Sequence, residues 1–149
     1  MLVFLEACSL AKRDNCGNKQ NADNENDIPD ITDATYLNEI DEYVSYIREN
    51  GENMTILKND SQKENVVLFL QDNDTVKISV LADSNACTDI YFQNSTPIFV
   101  TRDIILDVDS CYMETAYFKN GKIFKCFKDG EEITDKDYID EFEDVVMGK

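Results

Sequence analysis

The groups with which this chain of 149 residues could do chemistry are five cysteines, at positions 8, 16, 87, 111 and 126, and 31 acidic residues; it has no histidine and no tryptophan. No C-x-x-C pair occurs and no histidine is present, which argues against zinc binding and against thioredoxin-like redox chemistry. Asp107/Asp109 in "DVDSC" and Asp135/Asp137 have the alternate spacing of calcium ligands. A calcium loop also needs a glycine at its sharp turn and a glutamate closing about twelve residues, and both are missing, so these pairs read as turn and cap residues. Carboxylate pairs suited to glycoside chemistry arise by chance in so acidic a chain. Serine and cysteine nucleophiles would lack a histidine base and a glycine-rich elbow. The sequence therefore predicts no catalytic residues, no metal ligands and no cofactor. Four Asn-x-Ser/Thr sequons, at Asn53, Asn59, Asn73 and Asn94, are assigned no role.

The net charge of −17 is unevenly spread: residues 21–52 hold ten acids and one base, residues 129–149 nine acids and two bases, and the stretch between them ten acids and eight bases. No basic stripe exists to track phosphates or adsorb to anionic lipid, which argues against nucleic-acid binding and electrostatic membrane association. The 42% apolar content is enough for one core, and a chain of this size buries roughly 68–70% of its unfolded surface without metals or disulfides.

The elements that would position any working surface follow from periodicity. In "TDATYLNEIDEYVSYIRENG", residues 32–51, Tyr36, Leu37, Ile40, Tyr43, Val44 and Ile47 recur at three and four, with Thr32 or Asp33 as cap and Gly51 as stop; this predicts an amphipathic helix. From residue 53 the period becomes strand-like, in "MTILK", "NVVLFLQ", "TVKISVLA", "TDIYFQ", "PIFVTRDIIL", "CYMETAYFK" and "KIFKCFK". The short breaks "DND", "NSTP", "DVDS" and "NG" each reverse the chain locally. In "ITDKDYIDEFEDVVMGK", residues 133–149, Tyr138, Ile139, Phe142, Val145 and Val146 share a face behind a Thr134 or Asp135 cap. The expected fold is α+β: a single antiparallel meander sheet of six or seven strands with an N-terminal and a C-terminal helix.

Asn120-Gly121 is the preferred pair for a type I′ turn. An uninterrupted register then pairs Phe118 with Ile123, Tyr117 with Phe124, Thr115 with Cys126 and Glu114 with Phe127. It puts Cys111 and Cys126 on one face, about four residues or 13 Å apart along the strands and beyond disulfide reach, so buried free thiols are expected.

The hairpin has an echo upstream. "CTDIYFQNSTPIFVTRD" aligns with "METAYFKNGKIFKCFKD", matching Tyr91 with Tyr117, Phe92 with Phe118, Asn94 with Asn120, Ile98 with Ile123 and Phe99 with Phe124 when one residue is inserted in the turn. Nearer the start, Leu5-Glu6-Ala7-Cys8 follows an apolar run and precedes the polar stretch "KRDNCGNKQNADNENDIPD". It resembles a bacterial lipobox, whose cysteine carries the lipid. Repeated Tyr-Phe-x-Asn hairpins behind such a motif resemble the small secreted lipoproteins of Bacteroidetes-type bacteria, a family of generally unassigned function. That resemblance implies an envelope address, a lipid on Cys8 and a gene start upstream of Met1. The expected organisation is a signal remnant over 1–8, a disordered polar tether over 9–32 spanning roughly 25 Å by coil scaling, and one domain over 33–149.

Two functions fit. One is a non-enzymatic, envelope-anchored binding domain, touching the membrane only through Cys8 and meeting an unknown protein or small ligand through its sheet; the contact candidates are Tyr91, Phe92, Phe99, Tyr117, Phe118 and Phe127, each of which also suits a core. The other is a cytoplasmic acidic inhibitor or immunity-type protein that blocks a basic nuclease or toxin site with Asp135, Asp137, Asp140, Glu141, Glu143 and Asp144.

Overall fold

The computed structural model describes residues 31–60, 64–82 and 85–148; the Cys8 lipid site and most of the expected tether lie outside them. Helix α1 spans Ile31–Asn50, close to the expected limits, and Gly51 opens a single 3₁₀ turn, Gly51–Asn53. There follow β1 (Thr55–Asp60), β2 (Glu64–Gln71), β3 (Asp74–Ala82), β4 (Ala86–Gln93), β5 (Thr96–Asp107), β6 (Ser110–Lys119), β7 (Lys122–Lys128) and β8 (Glu131–Glu132). Helix α2, Lys136–Met147, closes the fold; Asp135 caps it by accepting from the Asp137 and Tyr138 N–H groups, and Gly148 ends it in the left-handed conformation. The strands form one antiparallel sheet in sequence order. Eight are seen among the described residues rather than six or seven, because Asp129-Gly130 makes one more turn and returns two residues alongside β7.

Three hairpins share one design. Asp72-Asn73, Asn94-Ser95 and Asn120-Gly121 all have positive φ at both positions, as type I′ turns require. After each turn the register shifts by one residue, leaving Val76, Ile98 and Phe124 as the extra residues of their strands. The two echoing hairpins therefore align with no insertion: the turns are equal in length, Ile98 corresponds to Phe124, and Phe99 to Lys125. The bulge also corrects the expected register. Tyr117 lies opposite Lys125, Thr115 opposite Phe127, Ala116 opposite Cys126 and Glu114 opposite Lys128, while Phe118 opposite Ile123 is as expected. One extra residue turns every later side chain of β7 to the other face.

The bulges point at α1. Val76 and Ile98 are buried in the cluster formed by Ile40, Val44 and Ile47 of α1 with Phe69, Tyr91 and Phe99 of the sheet, and Phe124 packs on Tyr36 with ring centroids 5.6 Å apart. Pairing of β3 with β4 ends at Tyr91, and pairing of β5 with β6 ends at Tyr117, one residue short of Phe92 and Phe118. The Tyr43 hydroxyl donates to the Phe92 carbonyl at 2.8 Å and the Tyr36 hydroxyl to the Phe118 carbonyl at 2.7 Å. Seven helical residues rise about 10.5 Å, and alternate strands lie about 9.6 Å apart. Tyrosines seven apart thus reach the same atom of successive hairpins, and α1 must cross the strands near their turns.

The opposite face carries a second core, in which Val100, Ala116, Phe118 and Cys126 are covered by Phe142, Tyr138, Ile139 and Val146 of α2. Val145, expected with them, is 53% exposed on the helix flank.

Candidate interaction surface

The six aromatic contact candidates do not form one surface. Tyr91 and Phe99 are buried under α1, and Phe118 is buried beneath α2. Tyr117 is half-buried beside the first core, its hydroxyl bonded to Asp41 at 2.8 Å; burial and that carboxylate hold its proton far above the ordinary phenol range. Phe127 stacks edge-on against Tyr117 at 6.2 Å, on the α1 face to which the bulge has turned it. Phe92 is half-buried on the α2 face and belongs to neither core cluster.

Around Phe92, among the described residues, lies an apolar area that neither α1 nor α2 covers. The α2 face carries a row running Leu57–Leu68–Ile78–Ile90–Val100–Ala116–Cys126 across β1 to β7. Helix α2 seals it only from Cys126 as far as Ile90. Leu57 is 51% exposed, and Leu68 and Ile78 are half-buried and outside both clusters. Val66 and Val80 flank this row on one side, Leu70 and Phe92 on the other. No charged residue stands on this face within Thr55–Asn59, Val66–Leu70, Ile78–Ala82 or Ala86–Phe92, although 30% of the chain is charged. Periodicity marked these as strand residues but not as a surface, because only the limited reach of α2 decides which part of the face stays open.

The polar clusters are structural. Lys77 pairs with Asp89 at 3.0 Å and lies over the Phe69 and Tyr91 rings. Burial draws its proton affinity down, but Asp89 and Tyr91 outweigh it and the net shift is upward. Ser79 donates to Asp89 at 2.5 Å, so its hydroxyl proton faces a carboxylate already neutralised by Lys77 rather than a base poised to take it. Arg48 donates to the Tyr91 hydroxyl at 3.0 Å and helps hold α1 down. On the other face the buried Glu114 accepts from Tyr138 and pairs with Arg102 at 3.4 Å, fixing the start of α2 to β6. Burial, then that hydrogen bond, raise the Tyr138 hydroxyl far above its usual range. The acidic array is partly committed within the fold: Asp135 caps α2, Asp140 pairs with Lys136, and Glu143 accepts from the Ile123 N–H.

Cys87 and Cys126 are buried thiols, and burial followed by Glu114 pushes Cys126 up to about 11. Cys111 departs from the expected thiol state and is disulfide-bonded. Nor does it share a face with Cys126, which lies opposite Ala116 and so, through the bulge, points to the α2 side. Among the described residues there is no cluster of metal-binding side chains and no helix long and apolar enough to cross a membrane. Comparison with protein-family models, curated proteins and solved structures gives no match.

Proposed function

We propose that the protein is a non-enzymatic interaction module, held at a bacterial envelope by a lipid on Cys8, whose working surface is the open second face of β1–β4 rather than the aromatic hairpins. The observation behind this reading is the charge-free apolar row Leu57–Leu68–Ile78, which α2 leaves uncovered. Contiguous exposed apolar area of a few hundred Å² marks contact surfaces on soluble domains. Of the aromatics that sequence alone singles out, all but Phe92 pack in or beside the two cores, and the lipid anchor rests on the motif around Cys8.

The test is capture of a partner by the full chain and by a Leu68→Ser/Ile78→Ser variant at low and high salt, after far-UV circular dichroism shows that both fold. Retention by the native chain at high salt and loss in the variant is the expected result. A complex that dissolves with salt, ignores the double substitution and requires Glu141 and Asp144 would instead favour an acidic inhibitor.

A further inference from the structure

We propose that the open face takes a single amphipathic helix from a partner chain, lying beside α2 and carrying lysine or arginine along the flank that meets α2. This rests on the interaction-module reading and adds the shape and charge of the partner.

The shape follows from α2. Tyr138 reaches Glu114 at the middle of β6, opposite Lys128 at the far end of β7, and Glu143 reaches the N–H of Ile123, next to the β6–β7 turn. The helix therefore runs along the strands. Ile123 lies opposite Phe118 on the unbonded side of its hairpin, so its N–H points to the outer edge of β7, and Glu143 marks the outer flank of α2. At about 100° per residue, Val145 and Glu141 fall on the opposite flank, past Tyr138, with Asp137 and Asp144 rising above them. That flank faces β5 and β4. The floor next to it, Ile90, Ile78, Leu68 and Leu57, spans three strand spacings, about 14 Å, and a helix with its side chains is about 10–12 Å across. One helix fits and two do not. Helix α2 covers the row from Cys126 to Ile90 and so is centred over β5 and β6; a helix set at the usual 8–10 Å from it lies over β3 and β4, with its apolar stripe on Ile78, Val80 and Phe92.

The charge follows from the wall. Val145 is 53% exposed there, Glu141, Asp137 and Asp144 are exposed, the β1–β4 floor has no charge of its own, and Arg102 of β5 beside it is already paired with Glu114. An acidic flank would place like charges together across a dry floor, whereas lysine or arginine gives both complementarity and faster encounter.

The experiment uses the full ¹⁵N-labelled chain and three synthetic 18-residue peptides: an amphipathic Leu/Lys helix, its Leu/Glu counterpart, and a Leu/Lys scramble with no apolar stripe. The Leu/Lys helix should bind, with amide shifts centred on Ile78, Val80 and Phe92, and at least tenfold more tightly than either comparator. Ile78→Glu should weaken it at least tenfold. Val145→Lys, at a site 53% exposed, should weaken it several-fold by placing a like charge on that wall. Glu141→Gln with Asp144→Asn should flatten the salt dependence. Equal binding of the Leu/Lys and Leu/Glu helices, both lost in Ile78→Glu, overturns the basic partner and leaves the interaction face standing. Equal binding of the scramble, shifts confined to the outer acids of α2, or a full chain that binds none of the peptides because a second copy or its own N-terminal segment holds the face, overturns the proposal.

Discussion

Raising the pH tests the second core at one atom. The Cys126 side chain is fully buried, and its thiol pKa is pushed from 9.0 up to about 11 by burial and then by Glu114. In the unfolded chain the thiol ionises near its ordinary value, while the folded chain keeps the proton. Above about pH 9 the unfolded state therefore binds fewer protons than the native state, and stability falls as pH rises, by at most about 1.4 kcal/mol per pH unit. The contribution is fully present below pH 9 and lost as pH climbs through about 11. Two units correspond to a loss of roughly 2.7 kcal/mol, a large share of the roughly 5–15 kcal/mol that holds a domain of this size. Urea titrations at pH 7, 9, 10 and 11 on the native chain and on Cys126→Ala measure it, with recovery at pH 7 excluding thiol–disulfide exchange. The alanine chain starts less stable because of the cavity, but from pH 9 to 11 it should lose about 2 kcal/mol less. Tyr117 and Tyr138, both also raised, destabilise both chains above about pH 10; Tyr117 cancels in the comparison, while the part of the Tyr138 rise that Cys126 itself causes counts with the thiol. Equal losses in the two chains would refute the placement of this thiol in a dry core beside Glu114.

Removing the hydroxyl in Tyr36→Phe or Tyr43→Phe leaves the Phe118 or Phe92 carbonyl without its donor and should cost about 1–2 kcal/mol in denaturant titrations, the two adding because the sites are separate. On the open face Ile78→Ser should cost under about 1 kcal/mol, while Val100→Ala, fully buried in the same row under α2, should cost about 2–3 kcal/mol; comparable costs would mean that Ile78 is covered. Gly121 has φ +77° with open space where a Cβ would sit, so Gly121→Ala should lose about 1 kcal/mol through backbone strain alone and Gly121→Asn less, as read by thermal unfolding.

Much of the architecture is local and was therefore legible in the residues. Spacings of three and four set both helices, Asn120-Gly121 set its turn, and breaks too short for a crossover compelled neighbouring strands to pair, so the meander follows from chain geometry alone. The eighth strand was not legible, because two glutamates carry no strand pattern and pair only because Asp129-Gly130 directs them back along β7. The one-residue bulges were not legible either. Val76, Ile98 and Phe124 look like ordinary strand positions, and only a helix crossing above the turns rewards a side chain for leaving the alternation. Those bulges decide which face Cys126 and Phe127 occupy, and so which thiol is buried and which aromatics are core. The uncovered face is the most tertiary feature of all: Ile78 and Val100 are alike in sequence and share a row, and the breadth of one twelve-residue helix, α2, makes the second core and the first surface.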